Sequence, residues 1–178
     1  TQLGGTAAVT VDDLGNGSTL NLGTQTTGAI TITGESGTAT VNAGTGAITA
    51  TDITTDGMTF NAVTGSSLIL DGAVATSVAT VSAATGAAVT VDAGNAVDNA
   101  ISNLTLSGGG SFTITGTAAG AYTASGASGA TIIGAPAMFE GLALTDSTTG
   151  GTVTLQLNDV AAGQTHNLDE MLADVIEV

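Results

Sequence analysis

Short apolar–threonine alternations, each opened by a glycine and set nine residues apart, restrict the folding of this chain more than any other feature. Gly28–Thr33 reads GAITIT, Gly37–Asn42 reads GTATVN and Gly46–Thr51 reads GAITAT. Thr19–Leu22 falls in the same register one step earlier, and looser echoes begin at Met58, Leu68, Val78, Val89, Leu104, Phe112 and Val153. A period of two marks a strand with one buried and one solvated face. The Gly, Asn and Asp residues between units supply turns. Many short strands at this spacing predict an all-β chain.

A regular step of nine or ten residues favours a short-stranded β-solenoid or β-roll-like stack. Each strand then pairs with its equivalent in the next coil around a narrow aliphatic column. The pattern is clearest over residues 18–94 and loosens after residue 60. A jelly-roll or immunoglobulin-like β-sandwich is therefore the alternative. Residues 118–137, almost without large side chains, fit either a thin coil or a connector. With aromatics at 2 % and no Trp, the core falls to Val, Ile, Leu, Ala and the Thr methyl. Cysteine is absent, so no disulfide contributes.

The period changes at the end of the chain. Leu168, Met171, Leu172 and Val175 follow i, i+3, i+4, i+7, and Asn167 with Glu170 reads as a capping box. The expected organisation is a β-rich structural domain over 1–166 followed by a short C-terminal amphipathic helix or cap over 167–178.

Charge narrows the function. The chain has fifteen Asp and Glu and no Lys or Arg, for a net charge of −15. It offers no Lys or Arg for an ion pair and no basic patch for nucleic acid or an anionic membrane. No run of 18 apolar residues suggests membrane insertion. It also lacks every trypsin-type cleavage site, which suits an extracellular or cell-surface location. The chain opens on Thr1 without a basic and apolar leader, as expected of a processed product or an excised piece.

Catalytic groups are scarce. His166 is the only histidine, no Gly-x-Ser-x-Gly elbow or phosphate-binding glycine loop occurs, and no enzymatic activity is expected. The carboxylates repel one another and call for screening or bound cations. Calcium takes hard oxygen ligands, and its candidates are Asp12 with Asp13, Asp52 with Asp56, Asp71, and Asp92 with Asp98, all near expected strand ends. Two Asn-x-Ser/Thr sequons make Asn16 and Asn103 candidate glycosylation sites.

The run GAITITGESGTATVNAGTGAITATD and the Thr/Ala/Gly/Val composition resemble the β-solenoid regions of prokaryotic surface-layer proteins and large secreted adhesins. The resemblance covers mainly residues 18–94 and rests on pattern. The Gly-Gly-x-Gly-x-Asp calcium repeat of some such proteins is missing. The resemblance implies an extracellular structural protein that self-assembles into a filament, sheet or surface layer with divalent-cation dependence. Its partner is then a further copy of itself, with surface glycans held through calcium as a second possibility. Candidate assembly residues are Val9 and Val11 in an N-terminal strand, and Leu168, Met171, Leu172 and Val175 at the C-terminus. The other expectation is an adhesin or an ice- or surface-binding module, suggested by Thr31 with Thr33, Thr38 with Thr40 and Thr49 with Thr51.

Overall fold

The computed structural model describes residues 2–25, 28–33, 38–53, 56–72, 77–94, 100–126 and 129–178. Within them the chain runs through β1 (Gln2–Gly5), β2 (Val9–Asp12), β3 (Thr19–Gln25), β4 (Ile30–Thr33), β5 (Thr40–Asn42) and β6 (Ala47–Ile53). It continues through β7 (Asp56–Ala62), β8 (Ser67–Gly72), β9 (Val78–Ala83), β10 (Ala88–Asp92), β11 (Asn103–Ser107) and β12 (Ser111–Ile114). The last strands are β13 (Ala121–Gly126), β14 (Ala130–Gly134), β15 (Leu144–Thr148), β16 (Val153–Leu157) and β17 (Val175–Glu177). One 3-10 turn, Pro136–Met138, follows β14.

Odd-numbered strands from β1 to β15 form one eight-stranded sheet, sheet A. The even-numbered strands and β17 form a nine-stranded sheet, sheet B, with β2 and β17 at its edges. Neighbours in both sheets pair in parallel, as in β2 with β4 and β11 with β13. A chain that alternates between two parallel sheets is a β-solenoid, here of about seven turns. The antiparallel sandwich is thereby excluded.

The nine-residue spacing is half a coil, one strand and one corner. Gly28 leads into β4 on sheet B, the next unit holds β5 on sheet A, and Gly46 leads into β6 on sheet B. Whole coils vary in length: Ile30 pairs with Ile48 and Val81 with Leu106, steps of 18 and 25 residues. Corners absorb the difference. Residues 121–126 and 130–134 are ordinary strands of the stack, so the stretch of small residues is a thin coil.

Alternation puts Leu20, Val41, Phe60, Val81 and Leu106 in one inward column of sheet A. Ile30, Ile48, Leu68 and Val91 form the facing kind of column on sheet B. All join one continuous buried cluster. Tight corners depend on glycine where backbones meet. Gly108 has φ +87°, and a Cβ there would lie 2.3 Å from the Ala83 carbonyl oxygen. Gly17 has φ +74° but open space around it. Gly17→Ala should cost about 1–2 kcal/mol from backbone strain alone, and Gly108→Ala distinctly more. Denaturant melts of the two variants check the order.

The helix expected over 167–178 does not form. Val175–Glu177 is instead an edge strand pairing with β16, and Met171 forms a bridge with Leu144. The reason is the open end of the stack. Leu144 presents an N–H and a C=O that Glu170 C=O and Leu172 N–H satisfy at 3.1 and 3.0 Å. Asp174 binds Val153 twice, through its N–H to the carbonyl at 2.9 Å and through Oδ2 from the Val153 N–H at 2.8 Å. A helix would leave those backbone groups without partners and set Asp174 and Glu177 at its negative end.

Candidate functional site

Parallel pairing brings one chemical motif into alignment on the outer face of sheet A. Thr19, Thr40, Thr59, Thr80, Thr105, Thr123 and Thr145 are successive register partners. Two residues along each strand, Asn21, Asn42, Asn61, Ser82, Ser107, Ser125 and Ser147 form a second column on the same face, aligned through the same pairings. Every complete coil thus repeats Thr–x–Asn/Ser. Strand spacing sets the rungs about 4.8 Å apart, and two residues of strand rise separate the columns by about 6.6 Å. These side chains are half-buried or exposed, and neither column contains an acid.

The asparagines also bond along the stack. Asn42 Nδ2 donates to Asn21 Oδ1, and Asn61 Nδ2 donates to Asn42 Oδ1 at 2.7 Å. Such amide ladders fix side chains in one orientation.

Sheet B carries no equivalent. One outward column reads Thr10, Thr31, Thr49, Ile69, Asp92. Another reads Ser67, Thr90, Thr113, Ile133, Gln156, Glu177. Threonine favours any strand, so strand preference alone would have enriched both faces alike. The three threonine pairs noticed in sequence are divided by the fold: Thr31/Thr33 and Thr49/Thr51 lie on sheet B, whereas Thr40 is on sheet A. The full ladder escapes a fixed-period search because its steps are uneven. The recurring triplets TLN, TVN, TFN, TVS, TLS, TAS and TDS were the available signal.

The ends of the stack are the second feature. Beyond β1 and β2 at one end, and β17 at the other, no further strand pairs among the described residues. Val9 and Val11 pack partly against the core. At the far end Met171 is buried and Leu168 half-buried, whereas Leu172, Val175, Ile176 and Val178 are exposed. Of the candidate assembly residues, then, Leu172 and Val175 are the ones most open at the surface.

Asp12 Oδ1 accepts from Thr33 Oγ1 at 2.8 Å, Asp92 Oδ1 from the Gly94 N–H at 2.9 Å, and Asp13 adopts φ 57°. Asp71 is half-buried. Asp98 lies outside the described residues, as do the side chains of Asp52 and Asp56. Among the described residues no three His, Asp or Glu side chains group to hold a metal. His166 Nδ1 stands 3.5 Å from Glu140 Oε1. A groove near one corner, lined by Thr85, Gly109, Thr131 and Thr152 among others, contains no titratable side chain.

Both sequon asparagines are exposed and tied to the next coil. Asn16 Oδ1 accepts from the Thr38 N–H and hydroxyl at 3.0 and 2.8 Å, and Asn103 Oδ1 from the Ala121 N–H at 3.1 Å. Asp146 is held below the usual carboxylate range by the Thr148 N–H and then by its hydroxyl. No family model, curated protein or solved structure matches this chain.

Proposed function

We propose that this chain is a non-catalytic structural protein of the cell exterior that joins copies end to end through its open strands. The supporting observation is the exposed apolar edge at β17, with Ile176 44 % and Val178 85 % exposed, on a sheet whose opposite edge, β2, also has no outer partner strand among the described residues. Parallel strands have polarity, so the edge formed by β17 complements the edge formed by β2, and this head-to-tail contact does not close on itself. Repeated, it yields a filament, or a sheet where filaments lie side by side. Surface-layer proteins and adhesins, which the sequence resembles, are the corresponding class.

Charge makes such assembly conditional. Asp12 and Asp13 stand at one end, and Asp169, Glu170, Asp174 and Glu177 at the other, with no Lys or Arg in the chain. Two anionic ends repel until salt or divalent cations screen them. Calcium, as a bridge between carboxylates of adjoining copies, acts at lower concentration than sodium. Sedimentation velocity and negative-stain imaging across both salts test this. The expected result is monomer at low ionic strength and long particles with calcium. Ile176→Lys, on an exposed edge position, should keep the circular dichroism spectrum and abolish the particles. Dispersed monomers under every condition refute the proposal.

A further inference from the structure

The Thr and Asn/Ser columns of sheet A play no part in end-to-end joining, because they face sideways from the stack. We infer that this face binds ice. The inference is independent of the assembly reading.

Three observations lead to it. The first is selective regularity. Coils whose steps range from 18 to 25 residues still deliver a threonine to every rung of one column from β3 to β15 of sheet A. Sheet B, built from the same coils, mixes Thr with Ile, Asp, Gln and Glu. Something other than strand formation holds one face uniform.

The second is what the face excludes. The chain carries fifteen acids, yet neither column contains one. A cationic peptide or an ionic mineral is recognised by carboxylates, so neither fits. All four aromatic residues, Phe60, Phe112, Tyr122 and Phe139, are buried, leaving no platform on which sugar rings could stack. What remains is a neutral array of hydroxyls, amides and threonine methyls. Its natural counterpart is a neutral lattice of hydrogen-bonding groups with a similar repeat. The rung spacing of about 4.8 Å lies close to the oxygen repeat along the a axis of hexagonal ice.

The third is rigidity. Threonine is restricted at χ1 by its branched Cβ, and Asn21, Asn42 and Asn61 are bonded to one another. Little side-chain freedom is left to lose on binding. Seven rungs in register act as linked weak sites, so that contact at one brings the others into place.

The test uses ice itself as the probe and the full chain as the protein. Ice-affinity partitioning and thermal hysteresis are measured for the unaltered chain, for Thr80→Tyr with Thr105→Tyr on sheet A, and for Thr31→Tyr with Thr113→Tyr on sheet B. Tyrosine is a good strand residue, and circular dichroism confirms folding. Should tyrosine unfold the chain, Ser107→Lys disrupts the same face at a half-exposed site. The unaltered chain and the sheet B variant should enter ice and depress freezing, while the sheet A variants lose both. Ile176→Lys should retain both effects, which separates this inference from the assembly proposal. Exclusion of the unaltered chain from ice overturns the inference. So does equal loss from both sheets. If the sheet A variants dissolve lateral assemblies of a protein that ice excludes, the face is a contact between copies, and the inference is likewise overturned.

Discussion

Phe60→Ala should lower the unfolding free energy by about 3–5 kcal/mol, the range for removing a buried aromatic ring. Phe60 has no exposed surface, and its register neighbours above and below are Val41 and Val81. Large and small side chains alternate along this column and the one beside it, where Met58, Ala79 and Leu104 follow one another. Deleting the ring leaves three small residues in succession. The gap cannot close, because ladder hydrogen bonds hold successive strands about 4.8 Å apart. Val81→Ala, which removes two methyl groups from the next rung, should cost about 1–2 kcal/mol. Val63→Ala, at an exposed corner, should cost almost nothing. Urea denaturation followed by circular dichroism ranks the three. Each coil of a stack contacts chiefly its neighbours, so the defect is local. Amide exchange in β5, β7 and β9 should accelerate before exchange in β13 and β15 does.

That locality also explains which parts of the fold were legible in sequence. Alternation in stretches such as ITIT at Ile30–Thr33 gives each strand and its buried face directly, because a strand needs only its own residues to be recognised. The stack was legible where corners are short. It blurred after residue 60 because the coil steps become uneven, Thr59 to Thr80 and then Thr80 to Thr105, with a long corner between β10 and β11, while the register between β9 and β11 stays intact. The sheet A ladder is a property of pairing and becomes visible only once Thr80 is set beside Thr105. The C-terminal segment misled for a related reason. Leu168, Met171 and Leu172 do carry helical spacing, but the open backbone of Leu144 and β16 offers partners that an isolated helix does not. Sequence proximity of carboxylates says nothing of the partner each one takes: Asp12 accepts a bond from Thr33 one coil on, and Asp92 turns back to its own corner.

Alkaline pH should destabilise this protein through one group. Tyr122 is the only tyrosine, and the chain has no Lys, Arg or Cys, so no other side chain titrates far above neutrality. Burial pushes its phenol up from 10.0 to about 12, against the smaller opposing effect of the Ala118 N–H. The hydroxyl accepts from that N–H at 3.2 Å and donates to the Met138 carbonyl at 3.1 Å. The ring meets Phe139 edge-on, with centroids 5.5 Å apart. The sign follows from these values. Below the unfolded value of 10.0 both states hold the proton and stability is unaffected. As pH rises from there to about 12 the unfolded chain releases its proton first, so the folded state loses ground across that window. Two units of difference amount to about 2–3 kcal/mol. Tyrosinate absorbance should lag in the native protein and appear together with unfolding. Tyr122→Phe should remove this pH dependence while costing about 1–3 kcal/mol at neutral pH, because the buried Ala118 N–H then loses its partner. A native protein whose phenol titrates at its ordinary value, with stability unchanged across the window, would show that the coil around Tyr122 admits water.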